Sequence, residues 1–295
     1  MTSDQAGELM RDEAATGGPG QGARGAAEEW RPPVELNTGI PHPARMYDYY
    51  LGGKDNFPAD REAAEKVIAA MPDARLGARS NREFLGRGVQ FAVEQGVRQF
   101  LDIGTGIPAV GSTGEVAHRV APDARVVYVD NDPIVLTHSR ALLAHHPVGH
   151  TTVLHADLRD PEAILGDPGL KEALDLSKPV ALMLVAVLHF VRDEEDAAGI
   201  VARLRDALAP GSMVILSHGT QDFMTPAAVA ETTRIYSRAS SPLVLRPKEQ
   251  VEAFFGDFEL ADPGLVQLPL WRPQADLPEG WQQAAPAYAG VAVKR

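Results

Sequence analysis

Three carboxylates and two glycines have the types and spacing to do chemistry. Asp102, Asp130 and Asp157 each close or follow a short, largely apolar run, and Gly104 and Gly106 come directly after the first. Glycines placed just past a strand let backbone N–H groups and a ligand approach closely, because no Cβ intervenes. A carboxylate at the tip of the next strand accepts hydrogen bonds from a ribose diol, as nucleotide sites in doubly wound sheets do. A third acid, one strand further on, can accept from an adenine amino group. The stretches Arg98 to Pro108 and Arg125 to Asp132 therefore predict a nucleotide-like ligand.

Which nucleotide depends on the neighbours of the glycines. Read literally, Gly104-Thr-Gly106-Ile-Pro-Ala109 fits the relaxed dinucleotide pattern G-x-G-x-x-A, so a nicotinamide or flavin dehydrogenase competes. Asp102 weighs against it, since an acid inside the turn repels a pyrophosphate but suits a positive amino group or sulfonium. Pro108 and Gly111 lengthen the loop beyond a tight pyrophosphate turn, and Asp157 adds an acid after the third strand. Together the acids fit S-adenosylmethionine better than a dinucleotide. Each also has a structural alternative: Asp102 orienting its loop, Asp130 capping the following turn, Asp157 capping the turn before Arg159.

Methyl transfer from a sulfonium is an in-line displacement with an activated leaving group. The protein's main task is to hold the nucleophile about 3 Å from the methyl carbon. A base matters only where the acceptor carries a proton near neutral pH. His189, just past the apolar run Val180 to Leu188, is the first candidate catalytic base or substrate contact. The alternative is a histidine packed between Leu188 and Phe190. His42 and Tyr50 follow as substrate contacts, then His218. His138, His145, His146 and His150 show no ordered ligand spacing, so no metal site is expected. The sequence has no cysteine, which excludes disulfides, thiolate catalysis and thiolate zinc sites.

Positioning these residues requires a sheet. Strands are expected at 100–103, 125–130, 151–155, 180–187 and 213–217, alternating with helices at 112–120, 134–144 and 193–209. Further helices are expected at 58–70, 79–95, 226–238 and 247–255, the first opened by Pro58. Late strands at 258–260, 264–268 and 287–293 are expected to lie antiparallel at the far edge. The alternation predicts a three-layer α/β/α domain with a mostly parallel sheet. Ahead of it, Asn37 to Asn56 packs three tyrosines, a Gly-Gly pair and Lys54-Asp-Asn56 into a polar-aromatic segment. It is either a lid over the ligand or a helix from Ala44 to Leu51 stopped by Gly52 and packed on the core. The expected organisation is a disordered tail over 1–36, a helical lid or cap over 37–97, and a core over 98–295.

Composition narrows the partners. At 295 residues with 44% hydrophobic content the chain can bury a core, and its longest apolar run, nine residues, is half the roughly 18 of a membrane span. A net charge of −12 argues against nucleic acid as the main partner. Met1 to Ala27 lacks the apolar segment of an export signal, so a cytoplasmic protein acting on a small molecule is expected.

Several segments resemble one family. Pro41-His-Pro-Ala-Arg-Met-Tyr-Asp-Tyr-Tyr-Leu-Gly-Gly-Lys-Asp-Asn-Phe57 is the most specific of them. With it stand Phe100-Leu-Asp-Ile-Gly-Thr-Gly-Ile-Pro108, Val127-Tyr-Val-Asp-Asn-Asp-Pro133 and Ala156-Asp-Leu-Arg-Asp-Pro161. Leu184-Val-Ala-Val-Leu-His-Phe-Val191 and Leu208-Ala-Pro-Gly-Ser212 complete the set. From about Asn37 onward the chain resembles the class I S-adenosylmethionine-dependent methyltransferases. Within them it resembles an actinobacterial family first catalogued as a domain of unknown function and later named S-adenosyl methyltransferase. The resemblance implies a Rossmann-like fold, with a seven-stranded sheet whose last strand is reversed. It implies cofactor contacts from Asp102, Gly104, Thr105 and Gly106, from Asp130 with Asn131, and from Asp157 with Leu158. Val185 and Ala186 would border the methionine end, and the tyrosine motif, Tyr47 included, would form a lid on the cofactor. The chain departs from the family at Ala109-Val-Gly-Ser-Thr-Gly-Glu115, where Gly114 replaces a larger polar residue. The implied activity is methyl transfer to a small molecule; a cofactor-binding regulator without transfer, or a nicotinamide oxidoreductase, is the alternative.

Overall fold

Strand order reverses between the first and fourth strands, and that reversal places everything else. The computed structural model describes residues 37–145, 150–277, 281 and 285–295. The tail expected over 1–36 lies outside them. Five strands, β1 (Gln99–Ile103), β2 (Arg125–Asp130), β3 (His150–His155), β4 (Ala181–Val185) and β5 (Met213–Gly219), pair in parallel in the order β3-β2-β1-β4-β5. Apolar side chains buried on both faces suit a parallel sheet, which is covered by helices on both sides. At a reversal such as β1/β4, the loops leaving adjacent strands turn to opposite faces and leave a crevice beyond the carboxyl ends.

The far edge is antiparallel. β8 (Ala287–Val293) pairs with β5 from Met213↔Val293 to Gly219↔Ala287. Two short strands, β6 (Glu259–Leu260) and β7 (Val266–Gln267), both pair with β8. The seven strands that the resemblance implies thus become eight, as the separate runs at 258–260 and 264–268 predict, because the outermost ladder is interrupted at 261–265. There Gly264 N–H closes a turn on Ala261 C=O (2.7 Å), and Pro263 has no N–H to give to a ladder.

The helices form three groups. On one sheet face, α6 (Pro161–Gly166), α7 (Pro168–Ala173), α8 (Ala197–Asp206) and α10 (Lys248–Ala253) bury Ile164, Leu170, Val201, Leu204 and Val251. On the other, the second half of α3 (Ala74–Glu94) and α4 (Thr113–Val120) pack with Trp271 against Phe100, Met183 and Ile215. α5 (Pro133–His145) contacts β2 and β3. A third cluster joins α1 (Pro43–Leu51), α2 (Pro58–Ala70) and the start of α3 to α9 (Pro226–Tyr236), burying Met46, Tyr50, Ala64, Val67, Ile235 and Tyr236.

Element ends follow local chemistry. α1 begins at Pro43 and stops at Gly52, whose φ of +82° suits glycine. α4 opens at Ser112, whose hydroxyl accepts from Glu115 N–H (3.3 Å). The strand expected over 180–187 ends at Val185 because Ala186 turns to φ +56°. α3 starts five residues before the expected Arg79, at Ala74. α6 and α7 were not expected, being six residues each and too short to show a periodic stripe. Each nonetheless carries an aspartate cap and a first-turn proline.

Candidate functional site

A cavity of ≈ 270 Å³ opens at the carboxyl ends of β1, β2, β4 and β5. Every site residue singled out from the sequence lies on its wall: His42, Tyr47, Tyr50, Asp102, Gly104, Thr105, Gly106, Asp130, Asn131, Asp157, Leu158, Val185, Ala186 and His189.

The two glycines have different reasons to be glycine. Gly104 has φ +74°, donates to Val129 C=O (2.8 Å), and a Cβ there would collide with the Val187 side chain. Gly106 has φ +64° with open space where a Cβ would stand, so its side faces the cavity unobstructed. Its N–H donates to Asp130 Oδ2 (3.0 Å), which ties the glycine loop to the tip of β2.

Asp130 Oδ1 also accepts from Asp132 N–H (2.9 Å), and Asp157 Oδ1 accepts from Arg159 N–H (2.9 Å). Both acids therefore cap turns, as the structural alternative supposed. A carboxylate offers about four lone-pair directions, so capping leaves room for a ligand donor. Asp102 takes the Thr113 hydroxyl (2.6 Å) at the start of α4, and its link is to a side chain, not to the loop backbone. Burial pushes both Asp102 and Asp130 up to about 6, against the hydrogen bonds they accept. At Asp157 burial pushes upward, but Arg159 N–H, the Asn131 amide (2.9 Å) and the Arg159 charge outweigh it and hold the carboxyl below its ordinary value. These acids, the open face at Gly106 and the glycine turn fit S-adenosylmethionine.

Gly114 has a physical explanation. Tyr128, on β2, places its hydroxyl 2.6 Å from Gly114 N–H as acceptor, and a Cβ at 114 would lie 2.9 Å from that oxygen. The phenol occupies the space of the larger side chain expected there.

His189 sits in a 3-10 turn, Leu188–Phe190, beyond β4. Its Nδ1 accepts from Gly219 N–H (3.2 Å), which leaves the proton on Nε2. Burial, and then the Arg246 charge, lower its pKa to about 3. The next-ranked histidine, His218, is locked. Its Nδ1–H donates to Gly219 C=O (2.7 Å) and its Nε2 accepts from Arg246 (2.9 Å). Burial pushes its pKa well below the ordinary value. Arg246, buried, also donates to Leu188 and Val191 C=O (3.1 and 2.7 Å) and to Asp193 (2.7 Å), pinning the turn that carries His189. Sequence reasoning missed it; its one signal is an arginine set between Leu245 and Pro247.

The cap residues divide between structure and cavity. His42 accepts from Ala44 N–H at the start of α1 (3.3 Å) and lies 3.3 Å from Asp132. Burial lowers its pKa, against the pull of Asp132. The Tyr47 hydroxyl donates to Ala78 C=O (2.9 Å). Tyr50 and Tyr236 meet hydroxyl to hydroxyl at 3.3 Å. Tyr236 and Thr232, on α9, also line the cavity and were not foreseen. Among the described residues no group of three His, Asp or Glu side chains is placed to hold a metal, and no helix is long and apolar enough to cross a membrane.

Known proteins share this fold. The family model of the S-adenosyl methyltransferases matches residues 29–295. A crystal structure of a member of domain-of-unknown-function family 574 from Streptomyces avermitilis is 46% identical, with a TM-score of 0.84 over 88% of this chain and 100% of that one. A candidate methyltransferase from Thermobifida fusca is 44% identical, with a TM-score of 0.81 over 90% of this chain and 98% of that one. An O-methyltransferase family protein from Burkholderia thailandensis, 14% identical with a TM-score of 0.51 over 84% of this chain and 63% of that one, shares the fold. No curated protein matches. The match to nearly the whole described chain, on a fold with this glycine loop and these strand-end acids, places it in the S-adenosyl methyltransferase family: it is an S-adenosylmethionine-dependent methyltransferase.

Proposed function

We propose that the cavity is shared by cofactor and acceptor, and that the acceptor is a small, uncharged, largely apolar molecule. The cofactor half is the row of strand ends: Asp102 and the glycine loop, Asp130 with Asn131, Asp157 with Leu158, and the backbone at Val185 and Ala186. Tyr47 closes over this half from the cap. Bound S-adenosylmethionine supplies an activated methyl group; this chain's residues bind, orient and exclude water.

The observation that carries the acceptor reading is the wall opposite. Between the cap and α9 the cavity is lined by Val67, Met71, Ala74, Ala78, Phe190, Leu243 and Leu245, with the Tyr50–Tyr236 pair among them. The charged side chains on the described wall stand at the cofactor end, and both histidines beyond it are neutral. Donors for a guest include the hydroxyl hydrogen of whichever tyrosine accepts in the pair, the unpartnered Thr232 hydroxyl and His189 Nε2–H. Burial holds both phenols protonated, with Tyr236 pushed up to about 12 and Tyr50 well above its usual value. The site thus fits an acceptor with an oxygen or similar group that accepts hydrogen bonds. His189 serves as a donor, since its Nδ1 is engaged and its pKa is far below neutrality; His42 and Tyr50 shape the entrance.

The test is transfer from methyl-labelled S-adenosylmethionine into a cell extract divided into small-molecule, protein and nucleic-acid fractions. Label is expected in the organic-extractable small molecules. Label confined to protein or nucleic acid would overturn the acceptor reading.

A further inference from the structure

One buried chain of hydrogen bonds runs from the cap to the tip of β4, and nothing in the cofactor contacts above accounts for it. Tyr47 donates to Ala78 C=O and accepts from Asn81 Nδ2 (3.0 Å). Asn81 Oδ1 accepts from the Ser217 hydroxyl at 2.6 Å. The Ser217 oxygen in turn accepts from Ala186 N–H (3.0 Å), which also reaches Ser217 C=O (3.1 Å). Asn81 and Ser217 are buried, on α3 and β5 respectively.

The chain ends on a strained residue. Ala186 has φ +56°, a conformation that L-residues other than glycine, asparagine and aspartate seldom hold without outside support. Such strain persists only where surrounding contacts over-determine it, and it clusters at ligand sites. Here the support is visible: the Ala186 amide is gripped twice by Ser217, and Ser217 is oriented by Asn81. Ala186 also ends β4 and turns the chain toward Val187, whose side chain closes on Gly104.

We propose that Asn81 and Ser217 are positioning residues that hold the Ala186 backbone in its strained form at the methionine end of the cofactor site, and that Tyr47 ties this hold to the cap. The proposal rests on the cofactor placement given above. Its logic is direct. Without the Ser217 hydroxyl, Ala186 relaxes toward negative φ, and the wall formed by Val185 to Val187 shifts. With glycine at 186 there is no Cβ strain to oppose, and the grip becomes dispensable.

A double-mutant cycle tests this with two readouts. The first is hydrogen exchange at residue 186 in the cofactor-free protein, which reports the grip itself. The second is calorimetric affinity for S-adenosylhomocysteine. Ser217→Ala is expected to speed exchange at 186 about tenfold and weaken the affinity about three- to tenfold, from the loss of one hydrogen bond. Asn81→Ala should move both readouts in the same direction. In an Ala186→Gly background, Ser217→Ala should change affinity by less than about twofold, an energetic non-additivity that a merely structural serine lacks. Equal costs in both backgrounds, or no cost in either, overturn the proposal. If Ser217→Ala fails to fold, Asn81→Ala carries the same cycle. A wild-type protein that binds no S-adenosylhomocysteine would sink the cofactor placement, whereas the exchange cycle would still decide the grip.

Discussion

The cofactor and acceptor halves that the proposed function assigns to the cavity are built on different plans. The cofactor half is local and backbone-driven: a five-residue strand, two glycines at positive φ, and two acids, Asp130 and Asp157, that cap their own turns within two residues, the first also accepting a bond from the glycine loop. The acceptor half is assembled from side chains far apart in sequence. Tyr50 meets Tyr236 across 186 positions. The first half is charged and rigidly specified; the second is apolar, with neutral donors. A fold can keep the first fixed for one cofactor while the second changes with the acceptor, because the cap and α9 share a cluster of their own.

The largest expected effect falls on the backbone of the cofactor half. Gly104→Ala combines a positive φ with a collision against Val187, and should cost about 3 kcal/mol or more of stability together with S-adenosylhomocysteine binding. Gly106→Ala meets only the conformational penalty, about 1–2 kcal/mol, and should fold. Thermal melts and calorimetry on both variants check this. Equal costs at the two sites would show that space at Gly104 is irrelevant.

Next comes the acid that ties the loop. Asp130→Ala removes the acceptor of Gly106 and Asp132 N–H groups as well as the expected ribose contact. It should weaken S-adenosylhomocysteine binding by about 10- to 100-fold, the range for hydrogen bonds to a charged group. Unchanged affinity would leave Asp130 with its capping role alone.

This contrast also explains what the sequence could tell. The glycine turn, the strand-end acids and the alternation of strands with helices were legible because each leaves its mark within a few residues: an apolar run, a residue tolerating positive φ, a carboxylate in capping position. The reversed outer strand was legible for the same reason. The partners of Tyr50, the anchoring of the His189 turn by Arg246, and the Asn81–Ser217 link were not. No local pattern records which segment packs on which when the pairing spans 53 to 186 residues. His189 shows the limit most clearly. Its place beyond β4 was readable, but the Gly219 N–H that occupies its Nδ1 and the burial that neutralises it are tertiary facts.

pH separates the halves without mutation. Asp102 and Asp130 carry pKa values raised to about 6, so below that pH protons occupy the carboxylates that the proposed cofactor contacts require. The sign is therefore weaker S-adenosylhomocysteine binding as pH falls from 7 to 5, by about tenfold for each carboxylate that must be ionised. The acceptor half should not contribute, because His189 stays neutral down to about 3 and the Tyr236 phenol stays protonated up to about 12. Calorimetry across this range in one ionic strength checks it, and a flat profile would mean that neither acid needs its charge for binding.

The smallest effect is the most discriminating for the acceptor half. Tyr236→Phe removes one hydroxyl from the phenol pair and leaves the ring packed against Phe190. Tyr50 then loses its partner, and its hydroxyl hydrogen turns to the guest or to nothing. S-adenosylhomocysteine affinity should stay within about twofold, since the change lies outside the strand-end row. Once an acceptor is in hand, its KM should rise about two- to tenfold, the weight of one neutral hydrogen bond. The reverse pattern, weakened cofactor with unchanged acceptor KM, would move Tyr236 to the cofactor's side of the cavity. The division between a cofactor half and an acceptor half would then have to be redrawn around α9.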